Sequence, residues 1–146
     1  MDENHFDLPP YTHVPGKTPH PFSDPAGHSF SQSVGEGKDL DVCLQRGLFL
    51  FENSYFWEAH EAWEQGWILL GRSGAQADFV KGLIKLAASG VKCLEENKAG
   101  AERHLRRAKE LFHSTPNAIR EEYSLKKISP EELVKQIEER LSSLKE

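Results

Sequence analysis

Cysteine is scarce in this chain. Its two examples, Cys43 and Cys93, have no CxxC spacing and form neither a disulfide framework nor a zinc knuckle. Each lies inside a helical apolar pattern, where a free thiol behaves as a small core hydrophobe. Long apolar runs are missing too: no stretch approaches the ~20 residues of a membrane span. The opening residues, Met1-Asp2-Glu3-Asn4-His5, are acidic and polar with no apolar run after them, which does not fit a secretory leader. The expectation is therefore a cytoplasmic protein with no membrane partner. Positive charge is in deficit, with a formal net charge of -5. That balance argues against general nucleic-acid binding, which requires a basic surface to neutralise phosphates. The local cluster Arg103, Arg106, Arg107 and Lys109 reads as the solvated face of a helix. No phosphate loop, dinucleotide fingerprint or nucleophile elbow occurs, and no segment alternates with period two.

Proline is nearly absent from most of the chain but dense at the start. Pro9, Pro10, Pro15, Pro19, Pro21 and Pro25 leave only Pro116 and Pro130 for everything after. That density forbids helix and favours extended and turn backbone. Disordered tails have such a composition, yet Phe6, Tyr11, Phe22 and Phe30 are spread through the segment, and disordered tails lack aromatics. Residues 1–37 are thus expected to form an extended Pro/His-rich arm packed on the body, and residues 38–146 a helical domain. At 146 residues the whole is large enough for a core without staples.

Beyond Gly37 the apolar period is helical. Leu40, Cys43, Leu44, Gly47, Leu50 and Phe51 share one side of a first helix, and Val42 and Phe49 form a smaller second patch that the arm or a partner could cover. Asn53-Ser54 reads as a break and N-cap. A second helix runs to about Leu70, ended by Gly71 and Gly74. A third runs from about Ala75 to Glu96, and a fourth runs to about His113, stopped by Thr115-Pro116. A short helical piece near Ala118 to Tyr123 precedes Ser129-Pro130-Glu131-Glu132, the signature of a capping box with proline at the first helical position. The predicted class is all-α: a single bundle of about five helices arranged as helical hairpins.

The second helix carries the unusual signal, Phe56-Trp57-Glu58-Ala59-His60-Glu61-Ala62-Trp63-Glu64-Gln65-Gly66-Trp67. On a helical wheel Phe56, Trp63 and Trp67 cluster, Trp57 lies on the flank of that face, and His60 and Glu64 fall between them, one turn apart. Glu58 and Gln65 point away, and Glu61 sits at the edge. An ionisable pair within an aromatic stripe is expensive unless it is partnered, so His60 and Glu64 are expected to be mostly buried, each with a polar partner. One reading is structural: His60 and Glu64 lock helix register by bonding each other or Lys85 and His104 on the next two helices. The other is functional: the HExxE pattern resembles half of a metal site, with His60 and Glu64 as ligands of a divalent ion. His20 and His28 of the arm, with Asp24 between them, could be delivered next to His60, whereas His5 and His13 are read as turn caps.

Taken together, the run from Phe56 to Glu64 with Trp67, then Lys81-Gly82-Leu83-Ile84-Lys85-Leu86-Ala87-Ala88, then Gly100-Ala101 and Ala108, resembles a small bacterial, archaeal and plastid family known as a domain of unknown function. Its marks are an HE-x-x-E helix followed by a GLI-x-LA helix. The resemblance covers roughly Leu44 to Phe112, and Pro19-His20-Pro21 through Gly27-His28-Ser29 resembles an extension found in some members. It implies a compact bundle of helical hairpins and no particular activity.

The functional expectation is a binding or interaction module with a pocket of Trp57, His60, Glu61, Glu64, Trp67, Lys85, His104, His20 and His28. Its partner would be a protein or a second copy of the chain. The alternative is a metal-dependent, hydrolytic enzyme in which Glu61 or Glu64 is the base and His60 a ligand or acid.

Overall fold

The computed structural model describes residues 6–18 and 39–144. Six helices follow one another within that range: α1 (Leu40–Glu52), α2 (Phe56–Leu69), α3 (Ala75–Leu94), α4 (Lys98–His113), α5 (Asn117–Leu125) and α6 (Pro130–Ser142). No strand occurs among the described residues. The all-α bundle expected from the period is what the chain forms, with the short piece before Ser129 grown into a full helix, α5.

Local chemistry explains most boundaries. Asp39 caps α1, its Oδ1 accepting the Val42 N–H at 2.8 Å, and Asn97 caps α4 by accepting from Gly100 N–H at 2.9 Å. Two expected caps do not form. Asn53 and Ser54 close α1 instead of opening α2, with Ser54 at φ 67°, and Tyr55 occupies the α2 N-cap without a side-chain bond. Ser129 does stand at the α6 N-cap with Pro130 inside the first turn, but its hydroxyl donates to Glu131 rather than accepting a backbone N–H.

α3 is the central element. It packs along α2 on one side and α4 on the other, α1 pairs with α2, and α6 lies against α3 and α4. Phe79, Val80, Leu83, Leu86 and Ala87 of α3 are fully buried. Tyr123 of α5 is also buried, its ring 4.4 Å from that of Phe79. Two glycines set how closely α2 is held. Gly90 of α3 lies under the ring of Phe56, where an added Cβ would come within 2.4 Å of it. Gly47 of α1 lies under Trp63, where a Cβ would meet the indole at 2.2 Å. Trp63 is fully buried, and its Nε1–H donates to Leu44 O at 3.1 Å, which satisfies the one polar atom of the ring.

Residues 6–14 have no regular secondary structure, and the chain then turns at 15–17, where Lys17 and Thr18 N–H donate to Val14 O. Phe6 packs on Phe49, ring centroids 5.8 Å apart, so the arm meets the second apolar patch of α1. Val14 is buried, Tyr55 donates its hydroxyl to Pro9 O, and Lys17 donates to Leu94 O. His20, Asp24, His28, Phe22 and Phe30 lie outside the described residues. No helix among the described residues is long and apolar enough to cross a membrane.

Candidate functional site

The buried stripe of α2 is Phe56, Glu58, Ala59, Trp63 and Gly66. α1 and α3 cover its apolar members, the arm covers Glu58, and His60, Glu61 and Glu64 come out at its rim. Of the expectation that His60 and Glu64 are mostly buried and hydrogen-bonded, the second part fails: their side chains are only 29% and 40% exposed, but the contact between them is too long for a hydrogen bond. Trp57 and Trp67 are half-buried as well, so Trp63 alone among the tryptophans belongs to the core.

The imidazole of His60 sits between two carboxylates. Its Nε2 is 3.8 Å from Glu64 Oε2 and its Nδ1 is 3.8 Å from Glu61 Oε2. Nδ1 is buried and has no hydrogen-bond partner among the described residues. One ligand atom from each of His60, Glu61 and Glu64 can be chosen so that all lie within 4.8 Å of one another. Helical spacing brings Glu64 beside both His60 (i, i+4) and Glu61 (i, i+3), and the approach of His60 to Glu61 is added by their side-chain conformations.

Burial and like charge tune the cluster. Desolvation, with the neighbouring carboxylates of Glu64 and Glu58, pushes Glu61 up to about 7. Burial lowers the pKa of His60; Glu64 opposes that shift and the charge of Lys85 adds to it. The imidazole is therefore neutral at pH 7, the form that ligates a metal.

Lys85 and His104 both fall within electrostatic reach of His60. The pairing expected of them does not form: among the described residues neither makes an ion pair with Glu64 or a hydrogen bond with His60. Helix register accounts for their place. Phe56 of α2 lies over Gly90 of α3, and along the same helix pair Lys85 comes close enough to His60 for its charge to act on the imidazole. Ser89 donates its hydroxyl to Ala101 O at 2.7 Å, which fixes α4 so that His104 comes beside the same stretch of α3.

Glu58 departs most from expectation. It does not point away: it is 6% exposed, and its carboxylate accepts the Thr12 hydroxyl at 2.7 Å and the His13 backbone N–H at 2.9 Å. His13 is itself buried, its ring edge-on to Trp57 with centroids 5.1 Å apart and its Nδ1 2.8 Å from the Thr18 hydroxyl. The contact with Thr18 agrees with the turn role expected for His13. Only the coverage of α2 by the arm, a tertiary fact, makes the outer side of that helix an interior position for Glu58.

The fold and this cluster define a class, an all-helical bundle with a His/Glu constellation on its second helix. Residues 44–104 match the family model described as "Domain of unknown function (DUF309)", which takes in both the HE-x-x-E helix and the helix that follows it. No curated protein and no solved structure matches the chain significantly.

Proposed function

We propose that this domain is a binding module whose ligand is a divalent metal ion held by His60, Glu61 and Glu64. The observation that carries the reading is the buried Nδ1 of His60, without a hydrogen-bond partner among the described residues, in a ring placed between two carboxylates. A buried nitrogen with no partner costs roughly 1–3 kcal/mol, and a cation at the cluster offsets part of the strain there. It also relieves the repulsion among Glu58, Glu61 and Glu64 that raises Glu61. One nitrogen and two carboxylate oxygens suit ions of the Mn2+ to Zn2+ series. Ligand atoms around such an ion, bound at ~2.1 Å each, stand about 3.4 Å apart. The present grouping, within 4.8 Å, therefore closes by side-chain rotation on binding. Water and a further ligand fill the remaining positions on the exposed side.

A second reading, a metal-dependent hydrolytic enzyme, is favoured by one observation. Glu61, at about 7, has the proton affinity suited to a general base at neutral pH. In that arrangement His60 and Glu64 would hold the ion, which would supply Lewis acidity, and Glu61 would be the residue that takes up a proton.

Metal analysis of protein purified without chelators tests the reading. About one first-row divalent ion per chain, removed by a chelator and absent from a His60→Ala variant that keeps its helicity, supports it. Metal-free protein that takes up none of Mn2+, Co2+ or Zn2+ refutes it.

A further inference from the structure

The arm is seated on the bundle without belonging to its core. Among the described residues the continuous apolar core runs from Leu44 to Leu141, and Val14, the buried apolar residue of the arm, stands outside it. A recognition surface on the body holds the arm instead. Tyr55 donates its hydroxyl to Pro9 O at 3.0 Å, and the Glu58 carboxylate accepts the Thr12 hydroxyl and the His13 N–H at 2.7 and 2.9 Å. Trp57 meets the His13 ring edge-on, and Phe49 packs against Phe6. Main-chain groups gripped between aromatic side chains are a means of holding a separate, proline-containing segment. The three hydrogen bonds join residues 45 or 46 positions apart, and none of them requires both partners to lie on one chain.

Chain length permits an exchange. The arm ends where Lys17 donates to Leu94 O, at the C-terminal end of α3. α1 starts at the opposite end of the bundle, with Leu40 against Gly66 near the close of α2, whereas Gly90 of α3 lies under Phe56 at the start of α2. Within one copy the connection therefore covers about one helix length, ~20 Å for the 13 residues of α1. Residues 19–38, which make the connection, reach at most ~70 Å. A tether much longer than its path dilutes its own arm, which favours a neighbour's. We infer that the seat of Phe49, Tyr55, Trp57 and Glu58 takes the arm of a second copy of this chain, so that two copies exchange residues 6–18 reciprocally. Each copy then supplies Thr12 and His13 to the other's Glu58, and the arm keeps every contact it makes within one chain. An empty seat strands no buried charge, because Glu58 stands on the outer side of α2 and meets water when the arm is lifted. No metal ion enters this exchange.

Disulfide trapping with full-length chains tests this. A Phe6→Cys variant and a Phe49→Cys variant are mixed and oxidised gently over a range of chain concentrations. Cys43 and Cys93 are buried and stay out of the reaction. The expected product is a disulfide joining residue 6 of one chain to residue 49 of the other, located by mass mapping, with a yield that rises with concentration. Adding Glu58→Ala to the Phe49→Cys chain should lower that yield on the order of tenfold. The double variant Phe6→Cys/Phe49→Cys should give linked dimers as well as self-closed monomers. Self-closed monomers alone, with no pairing between the mixed single variants, overturn the exchange and leave the arm as a strap on its own chain. Pairing between chains that is indifferent to Glu58→Ala marks random collision and overturns it too, as does the absence of any link between residues 6 and 49.

Discussion

His60 Nδ1 and Glu61 Oε2 stand 3.8 Å apart, too far for a hydrogen bond. Nδ1 is buried without a partner, and Glu61 holds its proton up to about 7. Both facts follow from α2 being covered by α1 and α3 along one stripe while its next turn emerges at the rim. The cluster is a place where the fold leaves polar groups incompletely satisfied, and such places are characteristic of binding sites.

Glu61 makes the stability of the metal-free protein depend on pH. Its pKa is raised from 4.5 in the unfolded chain to about 7 in the fold, so its contribution is fully present below 4.5 and is lost as pH rises through 7. His60 runs the other way: its lowered pKa gives a contribution present above its ordinary value of 6.5 and lost as pH falls. Glu61→Gln removes only the first effect. With a chelator present the variant should be more stable than wild type at pH 8, by on the order of 1–2 kcal/mol once solvent screening of this partly exposed group is allowed for. The gain should shrink towards pH 4.5. Denaturant unfolding at the two pH values checks this, and a gain independent of pH would contradict it.

Glu58 should fasten the arm. Glu58→Ala deprives the Thr12 hydroxyl and the buried His13 N–H of their carboxylate, a loss of about 2–4 kcal/mol for two bonds to a charged acceptor. Cleavage by trypsin after Lys17 should accelerate in the variant while α1 to α6 stay folded by circular dichroism. Unchanged stability and unchanged cleavage would show that the arm is held by its contacts other than those to Glu58.

The seat of α2 depends on two missing side chains. Gly90→Ala and Gly47→Ala each place a methyl where the rings of Phe56 and Trp63 already lie. Each should cost about 1–3 kcal/mol in denaturant unfolding. Wild-type stability in both variants would mean that α2 is held less closely than these contacts require.

How much of this was legible in the sequence differs by element. The helices were legible because their apolar residues recur at 3.6, and the pairing of Phe49 with an arm residue was legible as an apolar patch in need of cover. His60, Glu61 and Glu64 were identifiable because Glu64 stands four residues after His60 and three after Glu61, the spacings that bring side chains together on one helix. Glu58 was misplaced because a helical wheel has no knowledge of what crosses it. Thr12 and His13, 46 and 45 residues away in sequence, turn an outward position into a buried one. The tryptophan stripe misled for a similar reason: Gly66 and Ala59, too small to stand out on a wheel, form the packed face, and Trp67 is left at its edge. Ser54 ends α1 rather than capping α2, and Ser129 takes its N-cap position without the side-chain bond, because a serine hydroxyl has several partners of similar energy and backbone geometry decides which it takes.

Calorimetric titration of Mn2+ or Zn2+ into chelator-treated protein, with wild type beside Glu64→Gln, tests the central claim most directly. Glu64 is 40% exposed, so its amide replacement leaves the core untouched while removing one ligand charge. The expected result is one ion per chain for wild type and an affinity lowered on the order of tenfold or more in the variant, with identical helicity. No heat of binding in wild type, or the same affinity in both proteins, would contradict the account.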